Sequence, residues 1–447
     1  DIAELSKHGV HAEYLQTLKD LKAEIQAYLD WAEPKVAEGA GQLTLFSTVN
    51  LHIFQTYYGG LRPSADMTSW IYGDYDLVKQ FIEGGQTLKQ WLEAQGSTFV
   101  EDTQPTLIGA LWYRENEFVG ATIDGVDYPG RWGTYFKAPM NTVLATSETA
   151  ASNKIMLRTT AEELIVEDGR VTGVKATQYD GTPVTAHATK GVVIATGGYA
   201  ANLQMVVDTN VYWSSDYLST STKTTNRSSL KGDGITMALS AGASLSQMDQ
   251  IQLLYLGNVK DGQLTKYPPR CVNGTDQEIF INKEGKRFVQ EDGRRDTICL
   301  AVLQQTDSMF YFLESADGDY VDIDTAKSAD GFSLRYLEEQ GYIVVADTLD
   351  EMAEKLGMDA DTLKATVDSF NASVEAGEDK DGLGRTLFST QLTKGPWVAT
   401  PRTACLHHTM GGVTIDTACR VLNEGGEAIK GLYAAGEITG GIHGANR

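Results

Sequence analysis

Apolar residues recur at helical spacing in two stretches near the start of the chain. The first runs from Tyr14 to Tyr28 and the second from Leu77 to Trp91, with apolar side chains at steps of three, four or seven residues. These steps bring the apolar side chains to one side of a helix. We therefore predict two scaffold helices, with Gly84-Gly85 as a point at which the second could divide.

Short apolar runs separated by tight-turn dipeptides follow in the middle of the chain. Asp168-Gly169 and Asp180-Gly181 divide the stretch from 163 to 188. Asp and Gly tolerate the positive φ that tight hairpins require, so the pattern predicts a β-meander. After it, Gly191-Val-Val-Ile-Ala-Thr-Gly-Gly198 indicates a buried strand that runs into glycines, and Gly232-Asp233-Gly234 opens a predicted helix.

Between 253 and 401 we predict a hairpin that turns at Lys283-Glu284-Gly285-Lys286 and a helix that starts near Asp361, where an acidic residue suits the helix dipole.

Glycine is most frequent towards the C-terminal end. The glycine-rich stretch contains Leu406-His-His-Thr-Met-Gly-Gly412 and residues 431–447. Glycine at this density costs backbone entropy, which a fold tolerates where a backbone must approach a ligand closely.

Length and charge exclude several classes of protein. A chain of 447 residues can bury large cores and is expected to form two domains. Its 37 Lys and Arg against 60 Asp and Glu, a formal charge of −23, repel nucleic acid. The same charge would favour a cationic protein partner or simply keep the surface solvated. No apolar run reaches the roughly 18 residues of a membrane span, so we expect no transmembrane segment in this chain.

The cysteines and the first residue bear on metal binding and on location. Cys271, Cys299, Cys405 and Cys419 form no CxxC pair, so neither a metal site nor a disulfide framework is predicted, and the absence of CxxCH excludes a covalent haem here. The chain starts with Asp1 rather than methionine. A precursor whose leader has been removed and a fragment of a longer chain would both start this way. We expect an exported protein rather than a cytoplasmic one.

Several motifs together resemble one family. The strings IATGGYAAN, GDGITMALSAGA, NKEGKRF, GRRD, HHTMGG and GLYAAGEITGGIHGANR occur in this order. They are similar to motifs of the soluble fumarate reductase family, which includes fumarate, urocanate and other enoate reductases. The resemblance implies an α/β fold: a split, doubly wound FAD-binding domain at 1–252 and 402–447, with an inserted α+β capping domain at 253–401.

The sequence departs from the family at both ends. The N-terminal GxGxxG strand-turn-helix, which would carry the FAD pyrophosphate on a helix N-terminus, is absent from this sequence. The Leu-Gly-Gly-Asn continuation usual after the final Arg is absent as well. We therefore expect this chain to hold FAD only together with residues outside it.

The resemblance implies FAD contacts for a further set of residues. The backbone near Ala161 would meet the adenine, His408 the flavin, and Glu437 the ribose or ribityl hydroxyls. Asp233 would hydrogen-bond within the FAD shell, with a helix N-cap as the alternative role, and a solvated strand end is the alternative for Glu437. The residues beside the dinucleotide would be Thr196, Gly197 and Gly198.

Reduction of an activated C=C bond needs a hydride at one carbon and a proton at the other. The resemblance assigns the proton to Arg295 of Gly293-Arg-Arg-Asp296, with Arg294 or a plain surface ion pair to Asp296 as alternatives. It also assigns the substrate carboxylate to His407 and Arg447, because Arg offers a planar fork of donors and His adds one more.

One mismatch bears on the substrate. Where fumarate reductases carry a second carboxylate-binding His, this chain has Leu254, followed by Tyr255. A second carboxylate would be buried without a partner, which is costly. We therefore expect an aromatic, heteroaromatic or apolar group to meet Leu254, Tyr255 and Arg270. The family's proton relay falls on Cys271 and Gly274 when counted without gaps; the candidates to rebuild it are Arg270, Asp276 and Glu278.

The sequence thus predicts an FAD-dependent reductase of an α,β-unsaturated carboxylate other than fumarate, acting in anaerobic respiration or electron disposal. Electrons would come from a haem or FMN donor protein or domain. The alternatives are a flavin-dependent dehydrogenase of the ketosteroid type and a flavin-free remnant or binding module.

Overall fold

The structure is a computed structural model. It describes residues 11–41, 43, 46–100, 116, 118–123, 126–128, 139–140, 142–143, 153–266, 278–316, 323–328, 331–388 and 390–446. The chain divides into two compact units. The first unit comprises Asp1–Gly197, Gly232–Met248 and Met410–Arg447, and the second comprises Gly198–Lys231 and Asp249–Thr409. The segment 198–231, which the sequence pattern groups with the FAD-binding part, thus belongs to the second unit.

Helices and strands alternate along both units. The described helices are α1 (Ala12–Ala37), α2 (Val49–Gly59), α3 (Tyr75–Ala94), α4 (Leu203–Thr209), α5 (Asp233–Ser240), α6 (Arg295–Leu303), α7 (Leu334–Glu339), α8 (Leu349–Leu356) and α9 (Ala360–Ala376). The strands are β1 (Arg62–Pro63), β2 (Trp70–Ile71), β3 (Ala121–Ile123), β4 (Val126–Tyr128), β5 (Thr159–Glu167), β6 (Arg170–Gln178), β7 (Pro183–His187), β8 (Val192–Ile194), β9 (Leu245–Ser246), β10 (Ile251–Asn258), β11 (Glu278–Ile281), β12 (Met309–Glu314), β13 (Val344–Ala346), β14 (Trp397–Thr409), β15 (Gly412–Val413), β16 (Arg420–Leu422) and β17 (Ala428–Ala434). None of the helices in the described ranges is long and apolar enough to cross a membrane.

The predicted N-terminal helices are present as α1 and α3. In the first unit they pack with α2 around the buried rings of Tyr14, Tyr57 and Tyr75, and the Tyr14 and Tyr57 ring centroids lie 4.2 Å apart. The pair Gly84-Gly85 does not divide α3, which continues through both residues to Ala94. The buried side chains of α3 lie between Tyr75 and Ile82, before this pair, whereas Leu88 and Trp91 after it are about half exposed. A glycine costs only about 1 kcal/mol in a helix, so the helix can continue through the pair.

The sheet of the first unit combines the predicted meander with parallel strands. Its order is β16-β17-β6-β5, with β7 on β6 and β8 on β17. The β5–β6 and β6–β7 pairs are antiparallel, as the Asp-Gly turns predict. The β8 strand runs parallel to β17, with Val192 opposite Leu432 and Ile194 opposite Ala434. The mixed helix-and-sheet class is therefore as predicted.

The glycines of the C-terminal stretch are packed against protein backbone. A Cβ on Gly412 would overlap the carbonyl oxygen of Ile438, and one on Gly440 would overlap Ser246. The backbone N–H of Asp74, the residue that caps α3, donates to the carbonyl of Gly441 at 2.5 Å. At these positions, close approach of chain to chain accounts for glycine without a ligand.

The second unit is built on an antiparallel sheet in the order β10-β14-β12-β11, with β13 also on β14. Tyr255, Phe280, Phe310 and Phe312 form its aromatic core and are fully buried. The helices α8 and α9 contribute Met352, Leu363 and other residues to a second apolar cluster in this unit.

A buried network of charges ties the loop after α9 to the hairpin that follows β11. Glu291, which has no exposed surface, accepts from Nε and Nη2 of Arg287 at 2.7 Å each. Arg287 Nη1 also pairs with Asp381 Oδ2 at 2.8 Å, and Arg385 Nη1 lies 3.7 Å from Glu291 Oε2. Removing one member would leave buried charge of the opposite sign uncompensated.

We predict that Glu291→Gln lowers the free energy of unfolding of the second unit by about 3 kcal/mol, because a carboxylate with no exposed surface is lost from between Arg287 and Arg385, although Arg287 keeps Asp381. Thermal and urea unfolding measure this. Glu338→Gln is the matched control, since Glu338 forms a surface pair with Arg335, and Arg335 keeps Asp324 as a partner. An equal loss in both variants would contradict the prediction.

Candidate functional site

In the first unit, the predicted cofactor residues lie where the parallel strands end. The β8 and β17 strands end side by side, and the N–H of Ala435 donates to the carbonyl of Ile194 at 3.1 Å. Thr196 and Gly197 therefore leave the sheet at the same edge as Glu437. Ligands of open parallel sheets bind beyond the carboxyl ends of the strands.

The helix α5 begins at that same edge. Its glycine Gly234 lies so close to the end of β8 that an added Cβ would overlap Thr196 Oγ1 and would sit 2.7 Å from Ile194 Cγ2. The N-cap is Gly232, in the left-handed conformation with φ 80° and ψ 23°. Asp233 is the first helical residue, is exposed, and is thus not itself the N-cap that the alternative assigned to it. The helix N-terminus carries partial positive charge, which favours phosphate groups.

A cavity of about 660 Å³ lies along the start of β5, around the position that the resemblance assigns to the adenine. Ala161 lies between Thr160 and Glu162, which both line it. The guanidinium of Arg158 lies 5.6 Å from the centroid of the Tyr179 ring. The lining residues are Arg158, Thr159, Thr160, Glu162, Thr177, Gln178 and Tyr179.

These features of the first unit fit FAD. The exposed Thr196 hydroxyl and Asp233 carboxylate and the half-buried Glu437 offer polar groups for hydroxyls of the cofactor. A cavity with an aromatic wall suits an adenine. The residues that would hold the cofactor here are Ala161, Thr196, Gly197, Asp233 and Glu437.

In the second unit, His407 occupies a β-bulge. Across the β10–β14 ladder, Gln252 is opposite His408 and Leu253 is opposite Leu406, so His407 is the additional residue on β14. Bulges re-aim side chains and are over-represented next to active sites. This local break in the ladder is the distinguishing feature of the predicted carboxylate-binding residue.

A segment from elsewhere in the second unit holds His407 in place. The hydroxyl of Thr225 lies 2.7 Å from Nδ1 of the His407 ring, and the side-chain amide of Asn226 donates to the His407 carbonyl at 2.9 Å. The backbone of Thr224 pairs in parallel with Leu406. The sequence analysis did not identify Thr225 and Asn226, which are 182 and 181 residues from His407.

Gly198 and His408 lie at the same end of β14. The backbone N–H of Tyr199, next to Gly198, donates to the hydroxyl of Thr409, next to His408, at 3.4 Å. Gly198 is buried and His408 is half-buried. The structure thus brings these two predicted FAD contacts of the second unit together.

The two adjacent arginines differ in their surroundings. Arg294 is the N-cap residue of α6, is 45% exposed and pairs with Asp296 through Nε and Oδ1 at 3.4 Å. Arg295 is the first residue of α6, is half-buried, and makes no hydrogen bond or ion pair in the described part of the chain. The surface ion pair considered for Arg295 therefore belongs to Arg294.

The predicted contacts Leu254 and Tyr255 lie on the fully buried strand β10. Leu254 is opposite Cys405, and the Tyr255 ring lies 5.5 Å from that of Phe280. Burial raises the pKa of the Cys405 thiol to about 12 and that of Cys299 well above its usual value, so both thiols are neutral. Neither can act as a thiolate nucleophile at neutral pH.

Part of the predicted site lies outside the described residues. Glu278, a relay candidate, is buried on β11 directly opposite Glu314. No cluster of three or more metal-ligating side chains occurs among the residues that were located. The predicted residues outside the described ranges are Arg270, Cys271, Gly274, Asp276 and Arg447.

Comparison with known proteins places these features in context. Residues 43–447 match the model of the FAD binding domain family. The chain is 36% identical over 449 residues to NADH:acrylate oxidoreductase of Vibrio harveyi, which covers 100% of this chain and 41% of the relative. It is 31% identical over 390 residues to urocanate reductase of Eggerthella lenta, covering 84% of this chain and 58% of the relative.

A solved structure shares the fold. The open conformation of a flavocytochrome c3 fumarate reductase has a TM-score of 0.63 and 26% identity, over 93% of this chain and 65% of that chain. The chain spans about half the length of the two curated relatives, at 41% and 58% of their residues.

We predict that Asp233→Ala weakens FAD binding about tenfold, because one hydrogen bond to the cofactor is lost. Flavin fluorescence titration of the apoprotein measures the dissociation constant. Asp76→Ala is the matched control, since Asp76 is the first-turn aspartate of α3 in the same unit. If both variants bound FAD equally well, Asp233 would serve only the helix dipole.

Proposed function

The chain belongs to the FAD binding domain family, among the flavoproteins that resemble fumarate reductase and whose cofactor is FAD, and we propose that it reduces the C=C bond of an α,β-unsaturated carboxylate other than fumarate. Bound FAD, once reduced, supplies the hydride to one carbon of that bond. The chain's own residues bind the acid group and deliver the proton.

Each unit has its own proposed cofactor contacts. In the first unit the backbone at Ala161 receives the adenine, while Thr196, Gly197, Asp233 and Glu437 meet the rest of the dinucleotide. In the second unit Gly198 and His408 complete the set. The fit of the α5 N-terminus and of the cavity along β5 supports this assignment.

Arg295 delivers the proton to the second carbon. The observation that carries the proposal is the contrast between the two arginines: Arg294 is engaged with Asp296, and Arg295 is not engaged with any described side chain. A cation at the first residue of a helix also sits at the positive end of the dipole, so giving up a proton relieves an unfavourable interaction. A relay must then return a proton to the guanidinium, and Glu278 is the described candidate.

His407 binds the substrate carboxylate, together with Arg447. The bulge in β14 sets the ring apart from the regular ladder, and Thr225 holds Nδ1, so the opposite nitrogen is directed away from Thr225. An imidazole N–H donor adds a directional hydrogen bond to the ion pair between an arginine and the substrate carboxylate.

Leu254 bears on the substrate class because its side chain cannot bind a carboxylate. At this position the family's fumarate reductases carry a histidine for the second carboxylate, and here the strand is apolar and buried. A monocarboxylate loses nothing by that change, whereas a dicarboxylate would bury an unpaired charge. The relative named for acrylate and the one named for urocanate, both without fumarate's pair of carboxylates at the double bond, support this reading.

Electrons reach the FAD from a haem or FMN group on a partner protein or domain, as part of anaerobic respiration or electron disposal. The names of relatives that include NADH or cytochrome support a donor outside the flavin-binding part. A reduced viologen can replace that donor in an assay.

We predict that the intact, FAD-loaded protein oxidises reduced viologen with acrylate, urocanate or cinnamate and not with fumarate, because only fumarate needs the second carboxylate ligand. Initial rates across this panel provide the measurement. Activity on fumarate alone would defeat the substrate assignment, and no activity on any enoate would defeat the proposed function.

We predict that Arg295→Ala lowers kcat on the preferred enoate by about 100-fold or more, as expected for loss of a general acid. Arg294→Ala is the matched control and should retain most of the activity, because Arg294 is 45% exposed and already pairs with Asp296. Flavin content is measured in both variants so that rates are compared per bound FAD. Comparable turnover by the two variants would show that the proton comes from elsewhere.

A further inference from the structure

We propose that Thr225 is a positioning residue that fixes the tautomer of His407, so that Nε2 of the ring carries the hydrogen presented to the substrate carboxylate. This inference rests on the proposed function for the identity of the ligand. Its structural part concerns only the segment 224–226 and the bulged end of β14. Both belong to the second unit.

The Thr225 hydroxyl is closer to the ring than to any other described acceptor. Its oxygen lies 2.7 Å from His407 Nδ1 and 3.4 Å from the carbonyl oxygen of Leu406. The first distance is that of a normal O–H···N hydrogen bond, and the second is at the limit for a hydroxyl donor. Distance therefore favours the ring nitrogen.

The Leu406 carbonyl is already served by other donors. It accepts from the backbone N–H of Thr225 at 2.9 Å and from the hydroxyl of Thr224 at 3.1 Å, and the Asn226 amide lies at 3.4 Å. A carbonyl oxygen has two lone pairs. Because two shorter hydrogen bonds occupy them, the Thr225 hydroxyl hydrogen is left for His407 Nδ1.

The direction of this bond determines the chemistry of the other nitrogen. A neutral imidazole has one donor and one acceptor nitrogen, and the partner of one nitrogen decides which is which. With Nδ1 accepting from Thr225, the hydrogen is on Nε2, which makes Nε2 a donor. A carboxylate accepts only, so the opposite tautomer would set a lone pair against the substrate's negative charge.

The surrounding backbone restricts the alternatives. The Asn226 side chain donates to the His407 carbonyl at 2.9 Å, and the N–H of Leu406 donates to the carbonyl of Lys223 at 2.9 Å. These two hydrogen bonds fix the position of the segment along β14, at His407 and at Leu406. Threonine also has a stiff χ1, so its hydroxyl stays in place better than that of serine would.

The test compares Thr225→Val and Thr225→Ser in the intact, FAD-loaded protein, with acrylate as the probe enoate. Valine keeps the shape and removes the hydroxyl, and serine keeps the hydroxyl. Thr222→Val is the control, because Thr222 lies three residues before Thr225 and its hydroxyl accepts from the Ser219 N–H rather than contacting His407. All of these proteins are assayed at one common, alkaline pH.

We expect Thr225→Val to raise KM for acrylate about tenfold with kcat changed less than about threefold, since a hydrogen bond to the carboxylate is lost and the proton donor is untouched. Thr225→Ser should restore most of KM. Thr222→Val should match the wild type.

A second readout does not depend on activity. Nitrogen-15 NMR of histidine-labelled wild-type protein, with the His407 signals assigned through His407→Gln, should find Nε2 protonated and Nδ1 unprotonated. In Thr225→Val the two tautomers should become mixed.

Failure of the two proposals can be told apart. If wild-type protein reduces no enoate while its His407 has hydrogen on Nε2, the proposed function fails and the tautomer assignment stands. If wild-type His407 carries hydrogen on Nδ1, or if Thr225→Val leaves both KM and the tautomer unchanged in an active enzyme, the assignment is overturned. Equal losses of stability and kcat in the Val and Ser variants would likewise overturn it, because they indicate a structural role alone.

Discussion

The hydrogen-bonded ladder of β14 is the constraint on which the second unit depends. Its 13 residues pair with β12 and β13 over the first part and with β10 over the last part. A continuous ladder would turn successive side chains to opposite faces. The break at His407 changes that alternation at one residue, and the segment 224–226 provides the hydrogen bonds that a bulge would otherwise leave open. Strand pairing thus sets the position of the ring, and the bulge sets its direction.

A different constraint governs the first unit, namely the close approach of backbone to backbone. The loop after β17 is threaded against β9, β15 and the start of α3, and Gly412 and Gly440 are required there because a Cβ would overlap a neighbouring chain. The ends of β8 and β17, just before this loop, are paired in parallel. The polar groups at the edge, Thr196 and Glu437, are therefore displayed from a rigid support. In the proposed FAD site these glycines act indirectly, through chain packing next to this edge.

Local pattern and motif predicted much of this, and the remainder is non-local. Helical spacing identified α1 and α3, and Asp-Gly turns identified the meander, because both depend on a few neighbouring residues. The bulge at His407 was not predictable, since register depends on the pairing of strands far apart in sequence. Thr225 was missed for the same reason: a threonine in a run rich in Ser and Thr gives no indication of a partner 182 residues away. Which of Arg294 and Arg295 pairs with Asp296 likewise depended on where α6 begins.

Specificity in such a site follows from what is buried without a partner. The β10 strand is buried over its whole length, with Leu254 at 3% and Tyr255 at 0% exposure. An apolar residue at this position gains little affinity for a small enoate. In the proposed substrate site it discriminates by leaving a second carboxylate with no ligand, which costs several kcal/mol where water is excluded. Under the proposed function, rejection of a dicarboxylate requires no new contact, and His407 as the proposed carboxylate ligand can serve monocarboxylates that differ at the other end of the double bond.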